Sequence, residues 1–452
     1  MTDLYQQVFS YATDFLSQAN DLPIQVSDDA RQNLQHLDFT LQEQGIDATE
    51  VITELNQWVT PATMKMGSPR FFGFVIGGAY PVSVASNWLG TAWDQNTGLE
   101  KTTPAVAMLE RISARWMLKL LGLPAESATA FVTGATVANF TALAAARNQV
   151  FTTAGWDVEA DGLIGAPDLH IIISEESHPT VYKSLAMLGL GRNRVTKVPT
   201  DNQGRMDMSC FPEIKDNTII ITQAGNINSG AFDPVGEICD LARQKNAWVH
   251  VDGAFGLWAM ATDHYKHLGA GLDRADSWAT DAHKWLNVPY DSGLAFVKNH
   301  HALKAAMAIT ASYLPSENAD RNPSDYTPEL SRRARGIDVY AVLRHLGTSG
   351  VAELIERCCA CASRFAELLS EAGYEVMNDV VLNQVVVSFG SEAINLTVLD
   401  AVQKEGTCWL GQTIWQDRLV ARISVSNWQT DFAAVDHSFA VIDKIAQKIL
   451  SQ

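Results

Sequence analysis

The chain is short of positive charge: of 452 residues, 33 are Lys or Arg against 51 Asp or Glu, a net charge of -18. Nucleic-acid phosphates would be repelled by such a balance, so no nucleic-acid partner is expected. The six cysteines, Cys210, Cys239, Cys358, Cys359, Cys361 and Cys408, do not make the paired CxxC spacing of a structural zinc site, and no metal is expected. Cys358, Cys359 and Cys361 fall in a helical pattern and read as small apolar fillers. No apolar run approaches the ~20 residues of a membrane span. Residues 1–5 have neither the basic n-region nor the apolar h-region of a secretory signal. Scattered thiols then fit a cytoplasmic protein without a membrane partner.

What is present is globular: 47% hydrophobic and 19% charged residues, in a chain too long for one simple core. Residues 1 to about 60 read as polar helices with apolar faces from Leu34, Leu37, Leu41, Ile46, Val51, Ile52 and Leu55. An aromatic, glycine-rich loop follows, Phe71-Phe72-Gly73-Phe74-Val75-Ile76-Gly77-Gly78, suited to lining a site or an interface. From about 100 to 300, helices alternate with the apolar runs Ala130-Phe131-Val132, His170-Ile171-Ile172-Ile173, Thr218-Ile219-Ile220-Ile221-Thr222, Trp248-Val249-His250-Val251 and Ser277-Trp278-Ala279. Such runs suit strands buried on both faces, and the alternation predicts an α/β fold with a mostly parallel central sheet. After Arg344 come a helix over 351–372, strand-like stretches Gln384-Val385-Val386-Val387-Ser388-Phe389 and Val420-Ala421-Arg422-Ile423-Ser424-Val425, and a last helix with Val435, Phe439, Ile442, Ile445 and Ile449 on one face. This predicts an N-terminal helical segment over 1–75, a large domain over 76–344 and a small C-terminal α+β domain over 345–452.

Ligands of parallel sheets sit beyond the carboxyl ends of the strands, and five signals fall there. Asp281-Ala282-His283-Lys284-Trp285 sets a lysine among apolar and aromatic residues. Burial lowers a lysine pKa and frees the amine for Schiff-base chemistry; a surface lysine is the plainer reading. Trp248-Val249-His250-Val251-Asp252-Gly253-Ala254 ends an apolar strand on an aspartate beside small residues. Pyridoxal phosphate (PLP) needs a carboxylate against its pyridine nitrogen, although Asp252 also reads as a helix cap. Val132-Thr133-Gly134-Ala135-Thr136-Val137-Ala138-Asn139 turns a strand into an Ala-rich helix. Its free N–H groups and dipole make an anion site, to which Thr136 adds a hydroxyl, or simply an N-terminus. His178, in Ser174-Glu175-Glu176-Ser177-His178-Pro179-Thr180, can stack on a flat ring or serve structure alone. Gln223-Ala224-Gly225-Asn226-Ile227-Asn228-Ser229-Gly230 offers amide donors, or is just a good turn. Jointly the five supply a phosphate cradle, a ring stacker, a pyridine partner and an amine.

These residues resemble the group II PLP-dependent decarboxylases, which include aromatic amino acid, glutamate, cysteine sulfinate and 2,4-diaminobutyrate decarboxylases. The resemblance runs from about residue 69 to the C-terminus. Its most specific pieces are His250-Val251-Asp252-Gly253-Ala254, Thr280-Asp281-Ala282-His283-Lys284-Trp285-Leu286, Glu329-Leu330-Ser331-Arg332-Arg333-Ala334-Arg335-Gly336 and Arg422-Ile423-Ser424-Val425-Ser426-Asn427-Trp428. It implies the PLP-dependent transferase fold (fold type I, aspartate-aminotransferase-like), a homodimer, and conversion of a small L-amino acid to its amine and CO2. The same cofactor on the same fold also serves aldehyde synthases, lyases and aminotransferases. The resemblance further implies that Lys284 forms the Schiff base, Asp252 pairs with the pyridine nitrogen and Ala254 lies against the ring. His178 would stack and orient the substrate. Ala135, Thr136 and His283 would hold phosphate, and Asn226 would stand where the family usually has a threonine. Tyr326, or its rival Tyr313, would be the proton donor of the family's loop. The chain departs from the family at Ser68, Val137 and Asp281, where histidine, glutamate and asparagine are common, and these departures leave the substrate open.

Overall fold

The computed structural model describes residues 2–18, 20, 22–308 and 321–452. A seven-stranded sheet is built from β2 (Ala128–Val132), β3 (His170–Ser174), β4 (Thr196–Val198), β5 (Thr218–Gln223), β6 (Trp248–Asp252), β7 (Ser277–Asp281) and β8 (Gly293–Val297). Its order is β2-β8-β7-β6-β5-β3-β4. Only β8 runs against its neighbours; the other pairings are parallel. The expected α/β fold with a mostly parallel central sheet is therefore observed. Both faces are covered, which is why these strands read as apolar runs. Ile220, Val249 and Val251 enter one core cluster, while Ile219, Ile221 and Trp248 enter the cluster on the other face. Each buried isoleucine contributes roughly 1.5–3 kcal/mol. The helix Ala135–Thr153 lies on the second face through Ala138, Ala142, Ala145 and Ala146, all fully buried. Its small side chains allow close approach to the sheet.

The second sheet is smaller, with order β1-β11-β12-β10-β9. It comprises β9 (Glu375–Val376), β10 (Gln384–Ser388), β11 (Trp409–Trp415), β12 (Arg418–Ser424) and, from far upstream, β1 (Phe71–Phe72). β1 pairs parallel to β11, Phe71 with Trp409 and Phe72 with Leu410. The start of the aromatic loop is thus an edge strand. Phe71 stacks on Trp409 with centroids 5.0 Å apart, and Phe72 meets Phe365 edge-on at 4.9 Å. The stretch Gly336–Glu371 is two helices that meet at Gly347 (φ 63°, ψ -173°), and the helix expected over 351–372 is the second of them. The last helix is Phe432–Leu450.

The N-terminal helices include Thr2–Ser17, Asp28–Asn33 and Ala48–Glu54. Several of their apolar residues are not covered: Phe9, Leu16 and Val51 are exposed, as are Leu55 just beyond them and Trp88, Leu89 and Trp93 on the helix Pro81–Trp93. All six cysteines are free thiols and all but Cys210 are buried. Among the described residues, no helix is long and apolar enough to cross a membrane.

Candidate active site

β6 and β7 lie side by side and end on Asp252 and Asp281, both buried. Beyond β7 the chain turns sharply through His283 and Lys284. Lys284 Nζ stands 3.1 Å from Asp281 Oδ2. His283 Nδ1 accepts the Ser292 N–H at 3.0 Å, so its proton sits on Nε2, 3.5 Å from Asp281 Oδ1. Burial lowers the His283 pKa, against the pull of Asp281. The Lys284 turn is fixed by one buried amide. Asn287 Nδ2 donates to the carbonyls of Lys284 (3.3 Å), Trp285 (2.8 Å) and Ser426 (3.0 Å), and Asn287 Oδ1 accepts the Trp428 N–H at 2.9 Å.

β2 delivers the chain to Gly134 and the N-terminus of the helix Ala135–Thr153 at the same end of the sheet. A Cβ at Gly134 would lie 3.1 Å from His283 Cε1 and 3.4 Å from Asp281 Oδ1, so the missing side chain lets the helix end meet the lysine turn. The Ala135 N–H donates to Asp281 Oδ1 at 2.5 Å. The next N–H groups of this first turn have no partner inside the helix. With the Thr136 hydroxyl and His283 Nε2–H they form a donor set of the kind a phosphate dianion takes. Asp281 links amine, imidazole and helix end.

Asp252 accepts the Ala254 N–H at Oδ1 (3.2 Å) and Asn139 Nδ2 at Oδ2 (3.1 Å). Burial raises its pKa, while His178 and Lys284 pull it back. His178 caps the helix Pro179–Met187; its Nδ1 lies 2.7 Å from Thr180 Oγ1 and accepts the Thr180 N–H at 3.4 Å. A backbone N–H can only donate, so the His178 proton is on Nε2. Burial holds His178 below its ordinary pKa, and the charges that act on it belong to Asp252, Lys284, Arg422 and Asp281. Arg422, on β12, is buried and pushed down to about 10 by that burial. Its Nε has no hydrogen-bond partner, and among the described residues no carboxylate pairs with it.

The fold thus gathers Ala135, Thr136, His178, Asp252, Ala254, His283 and Lys284. Two expected residues stand apart. Asn226 has its amide engaged at both ends: Nδ2 donates to Glu176 Oε2 at 2.9 Å and to the Gly204 carbonyl at 3.5 Å, and Oδ1 accepts the N–H groups of Asn228 and Ser229 in its own turn. Nothing remains to reach a cofactor. Tyr326 ends the short helix Pro323–Tyr326 and packs against the core cluster on the Ala135–Thr153 side of the sheet, under the Arg321 guanidinium at 4.3 Å. None of its contacts involves Lys284, Asp252 or His178. Tyr313 lies outside the described residues. Sequence reading assigned no role to Asn139, Arg422 or Asn287. For Asn139 there was a signal, a lone amide one turn into an otherwise small and apolar helix face.

The residues fit PLP by the chemistry of their groups: a buried carboxylate, a neutral imidazole, an amine and an N–H cradle converge at the carboxyl end of one sheet. A model described as the pyridoxal-dependent decarboxylase conserved domain matches residues 31–390. Aromatic-L-amino-acid decarboxylase of Bacillus atrophaeus is 25% identical over 478 residues, covering 99% of this chain and 96% of that protein. Acidic amino acid decarboxylase of Xenopus tropicalis is 28% identical over 359 residues, 75% of this chain and 68% of that protein. Among solved structures, mouse CSAD superposes with a TM-score of 0.91 at 22% identity, covering 99% of both chains. Oryza sativa TDC with PLP and tryptamine gives 0.90 at 20% identity, over 99% of this chain and 97% of that one.

Proposed function

The chain belongs to the pyridoxal-dependent decarboxylase family and is a PLP-dependent amino acid decarboxylase, and from that premise we propose how its own residues divide the work. The observation that carries the assignment is the convergence of Lys284, Asp252 and His178 at adjoining strand ends. Lys284 would hold the cofactor covalently through Nζ. The first-turn N–H groups from Thr136 onward, the Thr136 hydroxyl and His283 Nε2–H would take its phosphate beside Ala135, whose own N–H is held by Asp281. Asp252 would pair with its ring nitrogen, and Ala254 would leave room for the ring. PLP supplies the electron sink for the bond between Cα and the carboxylate. His178, neutral, presents a flat ring and one N–H to that space. Arg422, a buried cation with no carboxylate partner among the described residues, would receive an acidic group of the substrate.

A second copy of the chain is the proposed partner, supported by the uncovered Phe9, Leu16, Trp88, Leu89 and Trp93. The buried free thiols support a cytoplasmic location. The test is a CO2-release screen over labelled L-amino acids, with amine assayed beside aldehyde and peroxide. Lys284→Ala is run in parallel, with borohydride trapping and peptide mapping of the cofactor-loaded protein. CO2 and amine in equal amounts, with the label on Lys284, support the proposal. A label on another lysine overturns it, and aldehyde with peroxide as the main product points instead to an aldehyde synthase.

A further inference from the structure

Behind Asp252 the sheet carries a row of buried polar groups that core packing alone does not call for. Trp248, His250 and Asp252 alternate along β6 and so point to one face, toward the helix Ala135–Thr153. Ser277 is the register partner of His250 on β7. Asn139, His250 and Ser277 are fully buried, and Trp248 nearly so. The contacts run in series. Trp248 Nε1 is 2.9 Å from Ser277 Oγ, Ser277 Oγ is 2.9 Å from His250 Nδ1, His250 Nε2 is 2.8 Å from Asn139 Oδ1, and Asn139 Nδ2 is 3.1 Å from Asp252 Oδ2.

Donor chemistry gives this series one direction. The indole N–H only donates, so Ser277 Oγ accepts it and has its own proton to give. At the other end a carboxylate accepts, so Asn139 turns its NH2 to Asp252 and its oxygen to His250. That oxygen requires the imidazole proton on Nε2, which leaves Nδ1 to accept the Ser277 hydroxyl. Assignments made from the two ends meet at His250 without conflict. Burial drives the His250 pKa down to about 3, so the ring stays neutral and carries the single proton the series needs.

We propose that Ser277, His250 and Asn139 form a one-way hydrogen-bond relay that orients Asp252 and keeps it ionised, and so sets how tightly the apoprotein binds PLP. The inference rests on the proposed pairing of Asp252 with the cofactor. His250 and Ser277 are positioning residues that act through Asn139 and Asp252. Each bond polarises the next in the water-free interior, and the polarisation ends on the one group that must remain negative there. A core row that merely satisfied its polar groups would need no common terminus.

The test is a double-mutant cycle on the full-length chain, stripped of PLP and retitrated by the quenching of tryptophan fluorescence, with thermal melting of each apoprotein recorded separately. His250→Leu removes the N–H given to Asn139 and should weaken PLP binding about tenfold, the upper end of what one neutral hydrogen bond contributes. His250→Gln retains an N–H donor and should recover most of that loss. In an Asp252→Asn background the same His250→Leu change should alter affinity by less than about twofold, because its target charge is gone. Ser277→Ala, the milder variant should His250→Leu fail to fold, should act with the same sign and the same dependence on Asp252. Equal losses in both backgrounds, or no loss in either, overturn the relay. If Asp252→Asn alone leaves PLP affinity unchanged, the pairing of Asp252 with the cofactor fails instead.

Discussion

Gly77 has no catalytic group, yet the structure makes it the most sensitive lever on the Lys284 amine. A Cβ built at Gly77 would stand 2.2 Å from the Lys284 carbonyl oxygen, 2.6 Å from Asn287 Nδ2 and 2.8 Å from Asn287 Cγ. Comfortable separations between such atoms are about 3.5 Å, so Gly77→Ala demands a displacement of about 1 Å. The Asn287 side chain cannot swing away. It is fully buried and holds Lys284, Trp285, Ser426 and Trp428 at once. The loop around Gly77 has little slack either, since Phe74 and Val75 already sit in the left-handed region at φ 54° and 60°. Overpacking of this kind costs about 1–3 kcal/mol. An ångström of misplacement at a reacting group costs on the order of 100-fold in turnover. Gly77→Ala should therefore lower the melting temperature modestly, retain PLP, and depress kcat for CO2 release by about two orders of magnitude. Gly67→Ala, whose Cβ would meet nothing within 4 Å, is the control and should change neither. A Gly77→Ala protein with kcat within twofold of the parent would refute the claim that this backbone contact positions Lys284.

Three further outcomes are expected. Glu110→Gln breaks a bidentate pair with Arg332 (2.7 and 2.9 Å) whose side chains are 3% and 2% exposed, and strands a buried guanidinium. Denaturant unfolding should show about 3–5 kcal/mol less stability, and a loss below about 1 kcal/mol would contradict the burial argument. Arg422→Gln should raise the substrate KM about 10- to 100-fold with PLP affinity unchanged, as expected when a charge-assisted contact to substrate is lost. An unchanged KM would remove Arg422 from the substrate site. Tyr326→Phe should leave amine formation within twofold of the parent, because the ring packs under Arg321 rather than beside Lys284. A tenfold or greater loss would return Tyr326 to the role of proton donor.

The parts of the fold that were legible are those whose burial is written in side-chain type. β3, β5 and β6 lie between two covered faces, so Ile171-Ile172-Ile173, Ile219-Ile220-Ile221 and Val249-Val251 announced themselves. β8 (Gly293–Val297) carries a weaker strand signal because Gly293, Leu294 and Ala295 lack β-branched or aromatic side chains and only Phe296 and Val297 supply them. Lys284 and Asp252 were legible because a polar residue ending an apolar run is costly without a purpose. Asn226 shows the limit of the same logic. An amide in a glycine-rich turn looks available for a ligand, but Glu176, far away in sequence, takes its N–H and the turn's own backbone takes its oxygen. Tyr326 fails for a different reason. Proximity along the chain to Arg332 and Arg333 carries no information about which residues the ring will pack against, and here it lies under Arg321.

The same reasoning explains why the lysine's surroundings cannot be assigned to one stretch of sequence. Asn287 ties the Lys284 turn to Ser426 and Trp428, just beyond the last strand of the smaller sheet. Trp428 Nε1 donates to the Ala79 carbonyl, Asn427 Nδ2 donates to the carbonyls of Gly67 and Ser68, and β1 joins the same sheet through Trp409 and Leu410. Residues 67–80 are therefore held by the C-terminal sheet while Gly77 presses on the lysine turn of the central sheet. Apart from the Trp428 indole, each link is a single amide or a bare backbone, which leaves almost no hydropathy signal. Moving the smaller sheet would shift Ser426 and Trp428 together, and Asn287 would pass that shift to the carbonyl of Lys284. The position of the amine is thus a joint property of both sheets, set by residues that composition alone would classify as turn and loop.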